Sequence, residues 1–349
     1  MGAMMTFNKI IRIAEDPPWA DKSAPTDGRM IVFICIIAPL CAGMWYYRTH
    51  QRETTGREDW IMSNNTEEQI TQNVLNSMAQ APNPRLKKVM NSLVSHLHDF
   101  IREVELTQEE WALGIQFLTR TGQMCDEKRQ EFILLSDITG VTMLVDAINH
   151  RLPDGATEST IFGPFYREGA EELPMGATIS KDGRGDPVVV TGRVLSTEGT
   201  PIPGALLDIW ETDENGLYEQ QDPEQPDMNL RGKFRTDSEG RYSFVGIKPV
   251  SYAIPDDGPV GQLLRALGRH PFRPAHIHLL ISADGFAPVT THLFVKGDPY
   301  LDSDAVFGTK DSLVVDFIQH DAEEEAARYD LTVPFYKVEY DFVLKHVDK

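Results

Sequence analysis

Cysteine is nearly absent from this 349-residue chain, which has only Cys35, Cys41 and Cys125. Two of the three fall inside one apolar run, so a disulfide framework and a cysteine-ligated zinc cluster are both excluded, and the chain suits a reducing compartment such as the cytoplasm. Basic charge is also scarce. The 33 Lys and Arg stand against 53 Asp and Glu, giving a net charge of −20. No surplus remains to neutralise phosphates, which argues against a nucleic-acid partner. Repeats and low-complexity tracts are missing too. Apolar residues are plentiful at 41% of the chain, enough to bury a sizeable core.

Three segments differ in character. Residues 1–61 form an atypical extension around an uncharged run, 30–47, close to the shortest length that spans a bilayer. Arg29 precedes the run while Arg48 and Arg52 follow it, so the flanks assign no orientation. A membrane anchor, a buried helix, and residues upstream of a true start at Met62 all remain open. Residues 62–150 read as helices: Leu86, Val89, Met90, Leu93, Leu97, Phe100, Ile101 and Val104 recur at helical spacing, and Thr107-Gln108-Glu109-Glu110 is a capping box. Such stripes pack helices together or form a dimer layer. Residues 151–349 switch to a period of two from about Pro187, with short strands between Gly- and Pro-rich turns. The expected class is therefore α+β, a helical dimerisation domain followed by an antiparallel β-sandwich.

Within that second half, Arg273-Pro274-Ala275-His276-Ile277-His278-Leu279-Leu280-Ile281 reads as a strand, which puts His276 and His278 on one face where they can share a metal ion. His96 and His98 have the same spacing but lie in a helical pattern, where such positions diverge by about 200°. No carboxylate accompanies His276 and His278 at the spacing of a 2-His-1-carboxylate site, which counts against an Fe(II) extradiol enzyme. Two tyrosines stand in loop-like contexts instead, Tyr218 after Asp213-Glu214-Asn215-Gly216-Leu217 and Tyr252 before Ala253-Ile254-Pro255-Asp256-Asp257-Gly258-Pro259. A phenol ionises near pH ~10 unless a strongly Lewis-acidic cation stands beside it. Read alone, both tyrosines fit equally well as core residues with satisfied hydroxyls.

The ordered set Asp208-Ile209-Trp210, Gly216-Leu217-Tyr218, Arg235-Thr236-Asp237, Gly240-Arg241-Tyr242, Tyr252, Pro255-Asp256-Asp257-Gly258-Pro259 and Gly268-Arg269-His270 through His278 resembles the intradiol ring-cleavage dioxygenases, in particular the hydroxyquinol and catechol 1,2-dioxygenases. The resemblance covers about residues 64–345. It implies a non-haem Fe(III) held by Tyr218, Tyr252, His276 and His278, a catechol-like diol or triol and O2 as substrates, a homodimer, and a phospholipid or fatty acid in the helical interface. It further implies that Tyr252 leaves the metal and acts as base when substrate binds, while Arg273 steadies negative charge that develops on the ring.

Where catechol enzymes of the family carry Thr-Gln, this chain has Thr291-His292, which together with the segment from Lys296 to Gly308 is more like the hydroxyquinol enzymes. Leu134, Asp137, Ile161, Phe162, Gly163, Phe165 and His292 are the implied pocket residues. Asp137 is the candidate acceptor for the third hydroxyl of benzene-1,2,4-triol. A catechol or chlorocatechol 1,2-dioxygenase is the alternative within the family. A non-catalytic, transthyretin-like binding module is the alternative outside it.

Overall fold

The computed structural model describes residues 66–126, 129–151 and 155–347. The apolar run 30–47 and Met62 lie outside the described residues. Among those that are described, no helix is long and apolar enough to cross a membrane. The chain divides into two compact units, one ending at Leu118 and the other starting at Thr119.

Helices α1 (Glu67–Ser77) and α2 (Pro84–Glu103) belong to the first unit, and α3 (Gln108–Gln123) runs on into the second. Their starts are written in the sequence. Thr66 and Gln69 form a reciprocal capping box, Asn83 accepts from Leu86 N at 3.0 Å ahead of Pro84, and Thr107 pairs with Glu110 in a second box. His96 and His98 fall on α2, where His98 Nδ1 is tied to Thr71 Oγ1 at 2.9 Å. None of the α2 stripe is fully buried within the described chain.

Helices α4 (Glu131–Ile138) and α5 (Val141–Asn149) belong to the second unit. The physical reason is a set of long-range bonds to the sandwich side. Glu131 Oε1 accepts from Val260 N at 3.1 Å in the first turn of α6 (Pro259–Ala266), and Arg269 donates to Ile138 O. Twelve strands follow among the described residues: β1 (Pro187–Ser196), β2 (Leu206–Trp210), β3 (Arg231–Arg235), β4 (Arg241–Ile247), β5 (Tyr252–Ala253), β6 (Phe272–Arg273), β7 (His276–Ser282), β8 (Val289–Val295), β9 (Val314–Val315), β10 (Ile318–His320), β11 (Phe335–Glu339) and β12 (Phe342–Leu344). A short helix, α7 (Glu323–Ala326), separates β10 from β11.

One sheet runs β10-β11-β1-β12 with β4 on the other side of β1. The second runs β3-β2-β7-β8-β9, and β5 pairs with β6 in a two-stranded ribbon. The two large sheets pack face to face through Val188, Val190, Leu207, Ile209, Phe244, Ile277, Leu279 and Ile281, among others. Burying each such side chain contributes roughly 2 kcal/mol. The first sheet is mixed rather than antiparallel, because β11 and β12 both run parallel to β1. Alternation along a strand records which face is buried and carries nothing about the direction of a partner more than a hundred residues away. Gly192 marks the join between those two strands. A Cβ there would lie 1.8 Å from Tyr340 O, and no side chain fits.

Glu211, directly after β2, is a carboxyl inside the core. Its Oε1 accepts from Ile247 N at 3.0 Å, while Oε2 has no partner in the protein. Burial pushes its pKa up to about 8. Folded protein therefore keeps a proton that the unfolded chain releases above the ordinary value of 4.5, so stability falls as pH rises from 4.5 through about 8. Glu211→Gln should match the parent in stability near pH 4 and exceed it increasingly up to about pH 9, by on the order of a few kcal/mol. Thermal melts across that range check this, and a constant difference would remove the buried acid as the cause.

Candidate metal centre

The alternation in β7 sends Ile277, Leu279 and Ile281 into the sandwich and leaves His276 and His278 on the outer face of the second sheet. Strand register then sets a row across that face: Arg231 of β3, Trp210 of β2, His278, and His292 of β8. The Trp210 ring lies flat on the His278 imidazole, with centroids 4.7 Å apart and planes at 11°. His292 Nε2 is 2.7 Å from His278 Nδ1, and all three histidines are buried.

Loops bring the phenols to the same place. After β2, Asp213 Oδ1 accepts from Asn215 N at 2.9 Å and Leu217 N at 2.8 Å, a side-chain-closed turn that delivers Tyr218. Gly216 adopts φ +78 in that turn, and a Cβ would lie 2.8 Å from Tyr252 Cβ. Both the backbone conformation and the close approach require glycine. Tyr252 sits on β5 directly opposite Arg273 on β6. Tyr218 Oη lies 2.9 Å from His278 Nε2 and 3.3 Å from Tyr252 Oη, and His276 Nε2 lies 3.1 Å from His278 Nε2. The four residues singled out from the sequence thus converge on one point.

Their chemistry fits a cation. His276 Nδ1 donates to Pro274 O at 2.6 Å, which leaves the Nε2 lone pair facing the cluster. Burial, then the charge of Arg273, lowers the His276 pKa to about 3. Burial and His276 hold His278 well below its ordinary value, so both rings stay neutral and free to ligate. Burial raises the Tyr218 pKa well above 10, with Tyr252 adding to the effect. This phenol keeps its proton unless a strong positive charge stands beside it. By distance alone His276, His278 and His292 also form a three-nitrogen group, within 4.8 Å of one another. The 2.7 Å contact commits His292 Nε2 to His278, so His292 supports that ring from behind.

Arg273 is fully enclosed. Its Nη1 lies 3.2 Å from His276 Nε2, while Nε and Nη2 face the Asp304 carboxylate at 3.2 and 3.4 Å. Burial works against its charge, but the Asp304 carboxylate more than offsets this and keeps the guanidinium ionised. Asp298 Oδ2 accepts from Ser251 Oγ at 2.5 Å and from Ala275 N at 3.0 Å, joining the residue before Tyr252 to the residue before His276. Arg231 has its guanidinium 5.9 Å from the Tyr218 ring centre and bonds both Glu219 and Phe165 O. The sequence reading did not assign Trp210, Arg231, Asp298 or Asp304. Strand alternation from Leu207 and Ile209 would have turned Trp210 outward, while the other three become visible only once distant segments meet.

The seven implied pocket residues separate. Leu134, Asp137 and Phe165 line a cleft of about 650 Å³ together with Arg129, Tyr166, Gln221 and Pro255. Phe165 also stacks on Tyr218 at 4.6 Å, so the cleft adjoins the phenols. Gly163 lies against the edge of His278. Ile161 and Phe162 line a different cavity of about 390 Å³, beside Leu280 and Val289. His292 lines neither. Asp137 is buried, accepts from Thr142 Oγ1 at 2.6 Å, and has its pKa raised to about 6 by burial.

Family profiles match nearly all of the described chain. One described as "Dioxygenase" covers residues 161–346 and one described as "Catechol dioxygenase N terminus" covers 83–157. Hydroxyquinol 1,2-dioxygenase of Rhizobium sp. strain MTP-10005 is 50% identical over 294 residues, spanning 84% of this chain and 98% of its own. 6-Chlorohydroxyquinol 1,2-dioxygenase of Cupriavidus pinatubonensis is 48% identical over 79% of this chain and 96% of its own. Among solved structures, hydroxyquinol 1,2-dioxygenase from Pseudomonas putida DLL-E4 superimposes with a TM-score of 0.77 at 51% identity, over 80% of this chain and 99% of that one. Wild-type catechol 1,2-dioxygenase of Acinetobacter radioresistens gives 0.73 at 31% identity, over 82% and 95%.

Proposed function

Because this chain belongs to the intradiol ring-cleavage dioxygenases, we propose that it opens hydroxyquinol, benzene-1,2,4-triol, between its adjacent hydroxyls. Both atoms of O2 enter the product, 3-hydroxymuconate or its tautomer maleylacetate. The observation that carries this reading is the meeting of Tyr218, Tyr252, His276 and His278 beside a cleft that contains Asp137. Those four residues would hold a non-haem Fe(III), a hard cation suited to anionic oxygen and neutral imidazole.

Bound Fe(III) supplies the Lewis acidity that favours ionised ring oxygens and withdraws electron density from the ring. The protein's part follows from placement. Tyr218 is clamped between Phe165 and His278, whereas Tyr252 sits on a two-residue strand and is the more exposed phenol, 9% against 1%. Tyr252 is therefore the group that would withdraw, and its Oη, ionised while it holds the metal, would take up a proton from a ring hydroxyl. Arg273 Nη1 holds fixed positive charge beside the reacting ring, and enclosure from water strengthens it. Trp210 and Phe165 exclude solvent around the histidines and Tyr218. Asp137, as carboxylate, accepts a hydrogen bond from the third hydroxyl.

The same reading carries a homodimer through the helical segment, a phospholipid or fatty acid between those helices, and a cytoplasmic catalytic region. The half-buried α2 stripe supports the dimer.

Purified protein should contain iron, absorb visibly through tyrosinate-to-metal charge transfer, and prefer hydroxyquinol over catechol by kcat/KM. Asp137→Asn should cut that preference on the order of 10-fold, since a charged hydrogen bond contributes roughly 1.5–3 kcal/mol. The parent's preference should be full above about pH 7 and decline as pH falls through about 6, where Asp137 takes a proton. A parent that favours catechol moves the assignment to the catechol enzymes, and a hydroxyquinol preference indifferent to both changes removes Asp137 as its cause.

A further inference from the structure

The geometry points to Asp304 as the positioning residue that fixes which nitrogen Arg273 presents to the donor cluster. This inference rests on the function proposed above. The two side chains form a nearly solvent-free pair, and the arrangement of their bonds is directional. Asp304 Oδ1 takes Arg273 Nε at 3.2 Å and Val306 N at 3.2 Å, while Oδ2 takes Arg273 Nη2 at 3.4 Å and Gly308 N at 2.9 Å. Each carboxylate oxygen thus accepts one N–H from the guanidinium and one from the backbone of its own turn. The backbone fixes the carboxylate, and the carboxylate fixes the Nε–Nη2 edge. Only Nη1 is left to face the site, 3.2 Å from His276 Nε2.

The surrounding chain is shaped to this pair. Gly308 has no room for a side chain without disturbance, because a Cβ would sit 3.0 Å from Arg273 Nη2 and 3.2 Å from Asp304 Oδ2. The turn is also docked onto the ribbon that bears Arg273: Ala305 N donates to Phe272 O at 3.1 Å, and Ala305 O accepts from Arg269 Nη2 at 2.8 Å. A guanidinium released from Asp304 retains its charge but not its direction. Turning its two-pronged edge inward would bring two donors toward His276 Nε2, which here meets Nη1 alone. Asp304 therefore makes a fork-shaped cation act as a single-point donor.

The test is a double-mutant cycle on the iron-loaded, full-length protein, with Asp304→Asn and Arg273→Gln singly and together, read as kcat and KM for hydroxyquinol. Asp304→Asn should lower kcat on the order of 10²-fold, the cost of a misplaced catalytic group. KM should change by less than about threefold, iron content should hold, and no further loss should appear in the Arg273→Gln background. Gly308→Ala, which crowds the clamp without removing charge, should move kcat in the same direction by about 10-fold and serves if Asp304→Asn does not fold. A crystal structure of the metal-free variant supplies a readout independent of turnover, with Arg273 Nη1 expected to have left His276 Nε2. Equal kcat losses in both Arg273 backgrounds, a fall in Tm with kcat intact, or an unmoved guanidinium would each overturn the proposal. If the unmodified protein cleaves no catechol-type diol, the functional reading fails while the crystallographic arm still decides the positioning role.

Discussion

Replacing His278 with alanine is expected to remove bound iron and turnover together. Its Nε2 is the hub of the cluster, within 2.9 Å of Tyr218 Oη and 3.1 Å of His276 Nε2. The ring is held in place by Trp210 on its face and His292 at Nδ1. Loss of a partner that only orients a metal ligand costs about 10–100-fold in affinity, and loss of the ligand itself should exceed that. His276→Ala should behave alike. Iron per chain, by elemental analysis, and the visible absorption band check both. His96→Ala, on the exposed face of α2, is the control and should change neither. Retention of stoichiometric iron in His278→Ala would move the metal away from this face of the sheet.

Tyr252→Phe should separate the two losses. Iron should remain near the parental amount, because Tyr218, His276 and His278 still converge, while kcat should fall about 10²–10⁴-fold, the range for loss of a positioned general base. The substitution preserves the ring that packs over Gly216 and against Tyr218, so folding should be little affected. Tyr218→Phe should lose iron as well as rate, since that phenol is not the one that withdraws. Equal iron loss in the two phenylalanine variants would erase the distinction between a staying and a leaving tyrosine.

How much of this was legible in the sequence depends on the range of the interaction concerned. His276 and His278 were readable because strand alternation is local. The same local logic kept His96 and His98 apart on α2. The cap at Thr107 was readable for the same reason. Tyr218 and Tyr252 were not fixed by spacing, since a turn residue discloses nothing about what it meets, and they entered through resemblance to a family. Pairing direction was hidden as well, which is why β11 and β12 running parallel to β1 departs from the antiparallel sandwich expected. His292 looked like a pocket residue because it stands where the catechol pattern has Gln. Its register opposite His278 places it behind that ring instead. Asp298 and Asp304 lay in a segment noticed for its resemblance, but their roles needed Ser251, Ala275 and Arg273 brought beside them.

Strand β7 carries two independent inscriptions. Its odd-numbered residues Ile277, Leu279 and Ile281 write the core, and its even-numbered His276 and His278 write the site. Point changes on one series leave the other nearly untouched, so the chemistry of this face can drift during evolution without loosening the sandwich. A deletion or insertion of one residue is a different kind of event. It would turn both imidazoles toward the apolar interior and present isoleucine and leucine to the ligand side, ending stability and catalysis in one step. Sequence length in this stretch is thus under tighter constraint than sequence identity, and gaps in β7 should be purged from any library of active variants well before substitutions are.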